Sequence, residues 1–142
     1  MTIQPVTQTN AARAFSLLQQ NHLPTEDITD ATHLFAAEEG ENLIGTVGLE
    51  LLHSTALLRS LCVDEFFRST GAGNTLVEHI EQYAATKGAK KMYLLTTTAD
   101  RYFSKKGYAV VPRSEVPEEV KGSSQFTAVC PSTAVIMKTE LV

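Results

Sequence analysis

The chain of 142 residues has no tryptophan, only two cysteines and no long apolar run. Cys62 and Cys130 cannot form a disulfide framework, and no histidine lies at metal-ligand spacing near them, so we expect no metal site. No stretch approaches the ~20 apolar residues of a membrane-spanning helix. The N-terminus lacks a basic segment followed by an apolar one, so no secretion signal is expected. These absences favour a reducing, cytoplasmic compartment.

Positive charge is also scarce. Twelve lysines and arginines against sixteen acidic residues give a formal charge of −4, and no basic run occurs. A nucleic-acid partner is therefore not expected, and neither is a membrane partner. A hydrophobic content of 43% is typical of globular proteins. Since repeats and linkers are missing too, we predict one domain over residues 1–142.

The apolar patterning predicts an α/β (α+β) order of elements. Helices are expected after Thr9 or Asn10, which could cap the first of them, and at 25–28, 74–84 and 99–106. Gly88 and Gly107 should end the last two helices. Strands are predicted at 3–6, 34–37, 43–51, 57–63, 92–96, 108–111 and 134–137.

A short loop between the strand at 57–63 and the next helix carries the strongest functional signal. Its residues are Arg68, Ser69, Thr70, Gly71, Ala72 and Gly73. The first N–H groups of a helix lack intrahelical partners and carry partial positive charge. Gly71 and Gly73 have no Cβ, so a phosphate can approach the backbone, and Arg68 adds a planar cation. The loop predicts a site for a phosphorylated ligand, rather than a plain glycine turn with a solvated arginine.

The sequence around this loop limits which class of phosphorylated ligand it could bind. No lysine follows Gly73, which excludes a P-loop, and residues 74–76 supply no third glycine for a dinucleotide fingerprint. Residues 61–64 (Leu-Cys-Val-Asp) followed by Arg68-x-x-Gly71-x-Gly73 resemble the coenzyme A pyrophosphate loop of the GNAT acyltransferases. Residues 99–108 (Ala-x-x-Tyr-Phe-x-x-x-Gly-Tyr) resemble a second signature of that family. The resemblance covers nearly the whole chain.

The resemblance implies a mixed, mostly antiparallel sheet, flanked by helices, in which the two central parallel strands splay apart. It also implies acetyl-CoA as cosubstrate and a small-molecule amine as acceptor. Backbone groups at Leu61 and Val63 should bind the pantetheine amides, and the helix bearing Phe103 should lie against the coenzyme A arm. We expect Leu61 and Val63 to face the core and Cys62 to face the opposite way, under the acceptor pocket.

The catalytic groups stay unassigned. Family members often place a glutamate two to three residues before the position of Leu61, where this chain has Leu58 and Arg59. Phe103 occupies the usual tyrosine position, and Tyr102 lies about 100° away around the helix. Glu50 could be a base acting through water, although a solvated strand glutamate is the commoner case. A coenzyme A-binding sensor or partner domain without catalysis therefore stays open, whereas a structural or interaction domain would leave the loop without a role.

Arg59 lies in an apolar strand and needs an anionic partner. One interpretation is a bidentate pair with a substrate carboxylate. The other is an internal salt bridge with Glu50 or Asp64, and both stay open. Thr96 and Thr97 are candidate substrate-binding groups at the mouth of the splayed strands.

The C-terminal half resembles two GNAT subgroups. The acetyltransferase domain of N-acetylglutamate synthase shares the Leu-Thr-Thr strand end and a prolyl-acidic segment at 116–120. The short proteins of arsenic-resistance operons, related to arsinothricin and phosphinothricin acetyltransferases, share Cys130-Pro-Ser, whereas Ser132 and Thr133 replace the arginines usual in the synthase. These resemblances imply an acidic amino acid or a toxic glutamate analogue as acceptor, and the family tendency implies a homodimer. Cys130 could relay protons or carry an acyl group, although a small buried side chain is the default.

Overall fold

The computed structural model describes residues 1–29, 31–122 and 134–141, which form two compact units. The first unit comprises Met1–Glu50 and Leu58–Tyr83, and the second comprises Leu51–Leu57 and the described part of Ala84–Val142. The strands are β1 (Thr2–Pro5), β2 (His33–Glu39), β3 (Asn42–Leu52), β4 (Thr55–Val63), β5 (Lys91–Thr96), β6 (Ala109–Val110) and β7 (Val135–Glu140). The helices are α1 (Ala11–Gln20), α2 (Ala72–Thr86), α3 (Asp100–Lys105) and α4 (Glu118–Lys121).

The strand order is β1-β2-β3-β4-β5-β7-β6. In the first unit, β1, β2 and β3 pair antiparallel, and the tight turn between β2 and β3 places Gly40 at a φ of +62°. In the second unit, β7 pairs antiparallel with both β5 and β6. The start of β4 pairs parallel with β5 over Thr55–Leu57 and Lys91–Tyr93. The predicted mixed, mostly antiparallel sheet is therefore confirmed.

Each unit has its own apolar packing. In the first unit, Leu17 and Leu18 of α1 pack against Cys62 of β4. In the second, a larger cluster forms the core. Its buried members are Leu57, Tyr93, Val111, Val116, Val120 and Ile136. In the first unit α1 therefore covers β4, and in the second Val120 of α4 joins the core cluster.

The burial of β4 corrects one expectation. Cys62 is buried at 6% exposure beneath α1, whereas Leu61 and Val63 are only half-buried. We predicted that Leu61 and Val63 face the core. Because α1 covers the opposite face of β4, Cys62 is the core residue instead. Ser60 has a φ of +56°, a left-handed conformation inside the strand. Such a residue disturbs the regular alternation of side chains and is often found near functional sites.

One prediction of local structure is wrong, and one short helix was not predicted. Residues 25–28 form turns instead of a helix, because a four-residue helix is poorly nucleated. Asp27 in this segment is instead held by an ion pair with Arg59. Conversely, the polar segment after Pro112 contains the short helix α4, which begins directly after Pro117. Proline is well tolerated at a helix start because its missing N–H has no partner there.

In the part of the chain that the structure describes, no helix is both long enough and apolar enough to span a membrane.

Candidate active site

The loop before α2 has the conformation that its glycines predict. Ser69 and Gly71 have φ angles of +68° and +89°, both in the left-handed region. A Cβ added at Gly71 would meet no atom within 4 Å, so the space beside its backbone is open. The carbonyl of Gly71 accepts the N–H of Thr75 at 3.1 Å, and α2 begins at Ala72. The loop therefore brings the N-terminus of a 15-residue helix to an exposed surface, where an anion would be stabilised.

Arg68 is held in place by two hydrogen bonds. Its Nε donates to the carbonyl oxygen of Val63 at 3.0 Å, and its Nη2 donates to Oδ1 of Asn21 at 2.8 Å. Asn21 in turn donates through Nδ2 to the carbonyl of Leu17 at 2.9 Å, which ties the guanidinium to the end of α1. Since a guanidinium has five N–H donors, this arrangement leaves donors for an incoming phosphate. No sequence motif distinguishes Asn21 from the other polar residues near the end of α1.

The thiol of Cys62 lies in an environment that disfavours its ionisation. Burial raises the pKa of the thiol. The positive charge of Arg68 lowers this pKa, whereas the negative charge of Asp64 raises it further. The thiol therefore stays protonated at neutral pH, where only a thiolate would attack a thioester. Its backbone is tightly packed as well, because a Cβ at Gly45 would lie 2.5 Å from the Cys62 carbonyl oxygen. Cys62 therefore contributes to the packing between β4 and α1.

The other residues that were predicted to contact coenzyme A or the acceptor, namely Phe103, Thr96 and Thr97, lie in the second unit. Phe103 is 4% exposed and packs edge-on against Tyr102 and Tyr108, with ring centroids 5.1 and 5.4 Å away. Thr96 ends β5, and its Oγ1 accepts the N–H of Ala99 at 2.9 Å, whereas Thr97 is exposed. Thr96 therefore stabilises the turn into α3. Any contact of these residues with a ligand stays a prediction.

Arg59 forms the centre of a buried ion cluster. Its side chain is fully buried and donates to Asp27 through Nη1 at 2.7 Å and Nη2 at 2.6 Å. Nη1 also donates to Oε2 of Glu50 at 2.8 Å, and Nε donates to Oγ of Ser60 at 3.1 Å. Of the two interpretations of Arg59, the structure supports the internal ion pair. Glu50 was a predicted partner, whereas Asp64 instead accepts the N–H of Phe66.

Sequence reasoning missed Asp27, which lies 32 residues before Arg59 and in a turn. No local pattern distinguishes it from the neighbouring acidic residues, because the pairing exists only once the chain has folded. The result is a group in which the carboxylates of Asp27 and Glu50 both bind one guanidinium.

The guanidinium of Arg59 remains charged despite its burial. Burial by itself lowers the pKa of this group, but the hydrogen bonds and charges of Asp27 and Glu50 outweigh it, so the pKa lies above its ordinary value. The two carboxylates therefore hold a permanent cation in place. Because its N–H groups point at these carboxylates, Arg59 is poorly placed to bind a substrate carboxylate as well.

Some predicted features lie outside the described residues. Cys130, Ser132 and Thr133 belong to the segment 123–133. The roles discussed for Cys130 therefore stay predictions.

Comparison with known proteins relates this geometry to a family. Over 52 residues, 37% of this chain, the sequence is 33% identical to an amino-acid acetyltransferase of Ralstonia nicotianae, but the match spans only 12% of that enzyme's length. Over 119 residues it is 27% identical to an N-acetyltransferase of Chlorobaculum tepidum described as uncharacterized, covering 83% of this chain and 74% of that protein.

The fold is also found among solved structures. N-acetylglutamate synthase of Neisseria gonorrhoeae, complexed with coenzyme A and N-acetylglutamate, superimposes with a TM-score of 0.82 at 17% identity, over 99% of this chain and 35% of the synthase. The model of the acetyltransferase (GNAT) family matches residues 6–108, which include the loop before α2 and the signature in α3. The chain therefore belongs to the acetyltransferase (GNAT) family.

Proposed function

We propose that this chain transfers the acetyl group of acetyl-CoA to the primary amine of a small acidic amino acid or glutamate analogue. The observation that carries the proposal is the exposed N-terminus of α2 behind the open, left-handed Gly71. Together with Arg68, this loop would hold the pyrophosphate of coenzyme A.

The other cofactor contacts follow from the family resemblance. In the first unit, backbone groups of Leu61 and Val63 would bind the pantetheine amides, with Cys62 packing beneath them. Ser69, Thr70, Ala72 and Gly73 would line the pyrophosphate site with Gly71. In the second unit, Phe103 would support the coenzyme A arm from α3.

The proposed reaction is a direct transfer within a ternary complex. The neutral amine nitrogen attacks the thioester carbonyl, the carbon–sulfur bond breaks, and the coenzyme A thiolate leaves with the electron pair. The new amide nitrogen gives up a proton, and the thiolate takes one up. A buried, protonated Cys62 agrees with a mechanism that has no acyl-enzyme intermediate. Holding both reactants in place supplies a large part of such a rate enhancement.

The acceptor class rests on similarity to relatives. The Ralstonia relative is named for amino acids, and the Neisseria structure holds N-acetylglutamate. The proposal of an arsinothricin-type or phosphinothricin-type acceptor, and hence of arsenic resistance, rests on the resemblance of the C-terminal half. Arg59 no longer supports it, since its guanidinium binds Asp27 and Glu50. Thr96, at the end of β5, and the exposed Thr97 after it remain predicted contacts for the acceptor.

A panel of acceptors tests this proposal. Formation of coenzyme A and of the acetylated product would be followed by liquid chromatography with glutamate, phosphinothricin, arsinothricin, spermidine and an aminoglycoside. We expect the acidic acceptors to exceed the polycations at least tenfold in kcat/KM. A reaction without acceptor corrects for thioester hydrolysis.

Two other outcomes would contradict the proposal. If spermidine or the aminoglycoside were the best substrate, the acidic acceptor class would be wrong. If coenzyme A bound tightly but no amine were acetylated, the chain would be a coenzyme A sensor or partner domain instead. A homodimer also remains a proposal, which light scattering after gel filtration would test.

A further inference from the structure

Arg68 is a cation that forms no ion pair in the part of the chain that the structure describes. It lines a small cavity of about 190 Å³ together with the carboxylates of Asp64 and Glu65. Within residues 1–29, 31–122 and 134–141, neither carboxylate forms a salt bridge with this guanidinium. Asp64 instead accepts the N–H of Phe66 through Oδ1 at 3.0 Å. The positive charge of Arg68 therefore remains available to an anionic ligand.

Two neutral groups hold the guanidinium in place. The carbonyl oxygen of Val63 accepts from Nε at 3.0 Å, and Oδ1 of Asn21 accepts from Nη2 at 2.8 Å. A guanidinium has five N–H donors, so these two bonds leave three of them for an anion. Because neither acceptor is charged, the side chain is fixed without loss of its positive charge.

The amide of Asn21 matches two different neighbours. Its Nδ2 donates to the carbonyl oxygen of Leu17 at 2.9 Å, while its Oδ1 accepts from Arg68. A carbonyl cannot donate and a guanidinium cannot accept, so the position requires one donor and one acceptor on the same side chain. Aspartate would lack the donor and add a negative charge, whereas alanine would lack both groups.

The amide is anchored to the core of the first unit. The backbone N–H of Asn21 donates to the carbonyl oxygens of Leu17 and Leu18 at 3.3 and 3.1 Å, at the end of α1. Both leucines are buried and pack against Cys62 of β4. The exposed side chain of Arg68 is therefore tied to a buried helix end, although a free arginine has much rotational freedom.

We propose that Asn21 is a positioning residue for coenzyme A, which holds Arg68 in place for the pyrophosphate without neutralising it. This inference rests on the proposed function, in which the loop from Arg68 to Gly73 binds that pyrophosphate. A side chain that is ordered before binding loses less entropy when the ligand arrives. A charged donor also binds phosphate oxygens more strongly than a neutral one. The neutral amide of Asn21 satisfies both conditions at once.

The test compares Asn21→Ala with Asn21→Asp by calorimetry with coenzyme A. Asn21→Ala should lose about threefold in affinity, because Arg68 is then less ordered before binding. Asn21→Asp should lose at least about tenfold, because its carboxylate would pair with Arg68 and compete with the pyrophosphate. The KM for acetyl-CoA should rise in the same order, while the KM for the acceptor stays unchanged.

Gln20→Glu is the matched control. Gln20 lines the same cavity, but its Nε2 donates to Oγ of Ser16 at 3.3 Å. Glutamate at this position adds the same charge one residue away from Asn21, at the same exposed helix end. Since exposed charges that are not in contact interact weakly, its affinity for coenzyme A should stay within about twofold of the wild type.

A double-mutant cycle shows whether Asn21 acts through Arg68. Arg68→Ala should weaken the binding of coenzyme A, and adding Asn21→Asp to that background should cause no further loss. If Asn21→Asp does not fold, Asn21→Ala is taken through the same cycle. A purely structural role of Asn21 would lower the melting temperature and leave the affinity of the folded protein the same in every Asn21 variant.

The inference is overturned if folded Asn21→Asp binds coenzyme A as tightly as the wild type or loses no more than Asn21→Ala. It is also overturned if the loss persists in the Arg68→Ala background. A wild type that does not bind coenzyme A would instead reject the proposed function itself, and this inference with it.

Discussion

Replacing Gly71 with glutamate is expected to abolish coenzyme A binding, with a loss of at least about a hundredfold in affinity, or ~2.7 kcal/mol. The new carboxylate would extend into the open space beside the backbone, where the pyrophosphate should lie. It would repel the ligand and would itself be attracted to the partial positive charge of the α2 N-terminus. Isothermal titration calorimetry with coenzyme A measures the loss directly.

Two variants separate charge from backbone strain. Gly71→Ala introduces the same strain at a φ of +89° without a charge, so it should bind coenzyme A far better than Gly71→Glu. Gly40→Glu places the same residue at another open glycine, with a φ of +62°, in the turn between β2 and β3. We expect it to lose similar stability and to keep full affinity. Unchanged affinity in a folded Gly71→Glu protein would show that the loop is not the pyrophosphate site.

The second large effect is on stability. Arg59→Leu should lower the free energy of unfolding by about 3–5 kcal/mol, because it removes the buried guanidinium that binds the carboxylates of Asp27 and Glu50. Urea denaturation followed by circular dichroism measures the change. Arg13→Ala is the control, because Arg13 forms the exposed pair with Glu38 and such pairs contribute at most about 1 kcal/mol.

A combined variant checks the cause of this loss. Asp27→Asn together with Glu50→Gln removes both charges, so adding Arg59→Leu to that background should be much less destabilising than adding it to the wild type. A loss for Arg59→Leu as small as that for Arg13→Ala would mean that the cluster contributes little to folding.

Much of the fold could be predicted from the sequence because its signals are local. The apolar run at 57–63 predicts β4, and Gly88 and Gly107 end their helices at φ angles of +94° and +99°. The loop around Gly71 was predicted for the same reason, since its function depends on backbone conformation next to a helix start. Such features are encoded within about ten neighbouring residues.

The complete ion cluster around Arg59 could not be predicted in this way. Glu50 was predicted as one of two possible partners of Arg59, whereas Asp27 was assigned to a short helix that does not form. Arg59 binds Glu50 on the neighbouring strand, and it also binds Asp27, which lies in a turn 32 residues earlier in the sequence. The burial of Cys62 likewise depends on which side of β4 is covered by α1. These features arise from tertiary packing, which overrides local patterns.

The most direct test of the account is transfer of a deuterated acetyl group. The purified chain would be incubated with trideuteroacetyl-CoA and glutamate or arsinothricin, and the products would be separated and weighed by mass spectrometry. The account predicts a labelled N-acetyl product in equal amount to the coenzyme A released, at a rate that Gly71→Glu abolishes and Gly40→Glu preserves. Release of coenzyme A without a labelled product would contradict the proposed transfer. So would an amount of product from Gly71→Glu equal to that from the wild type.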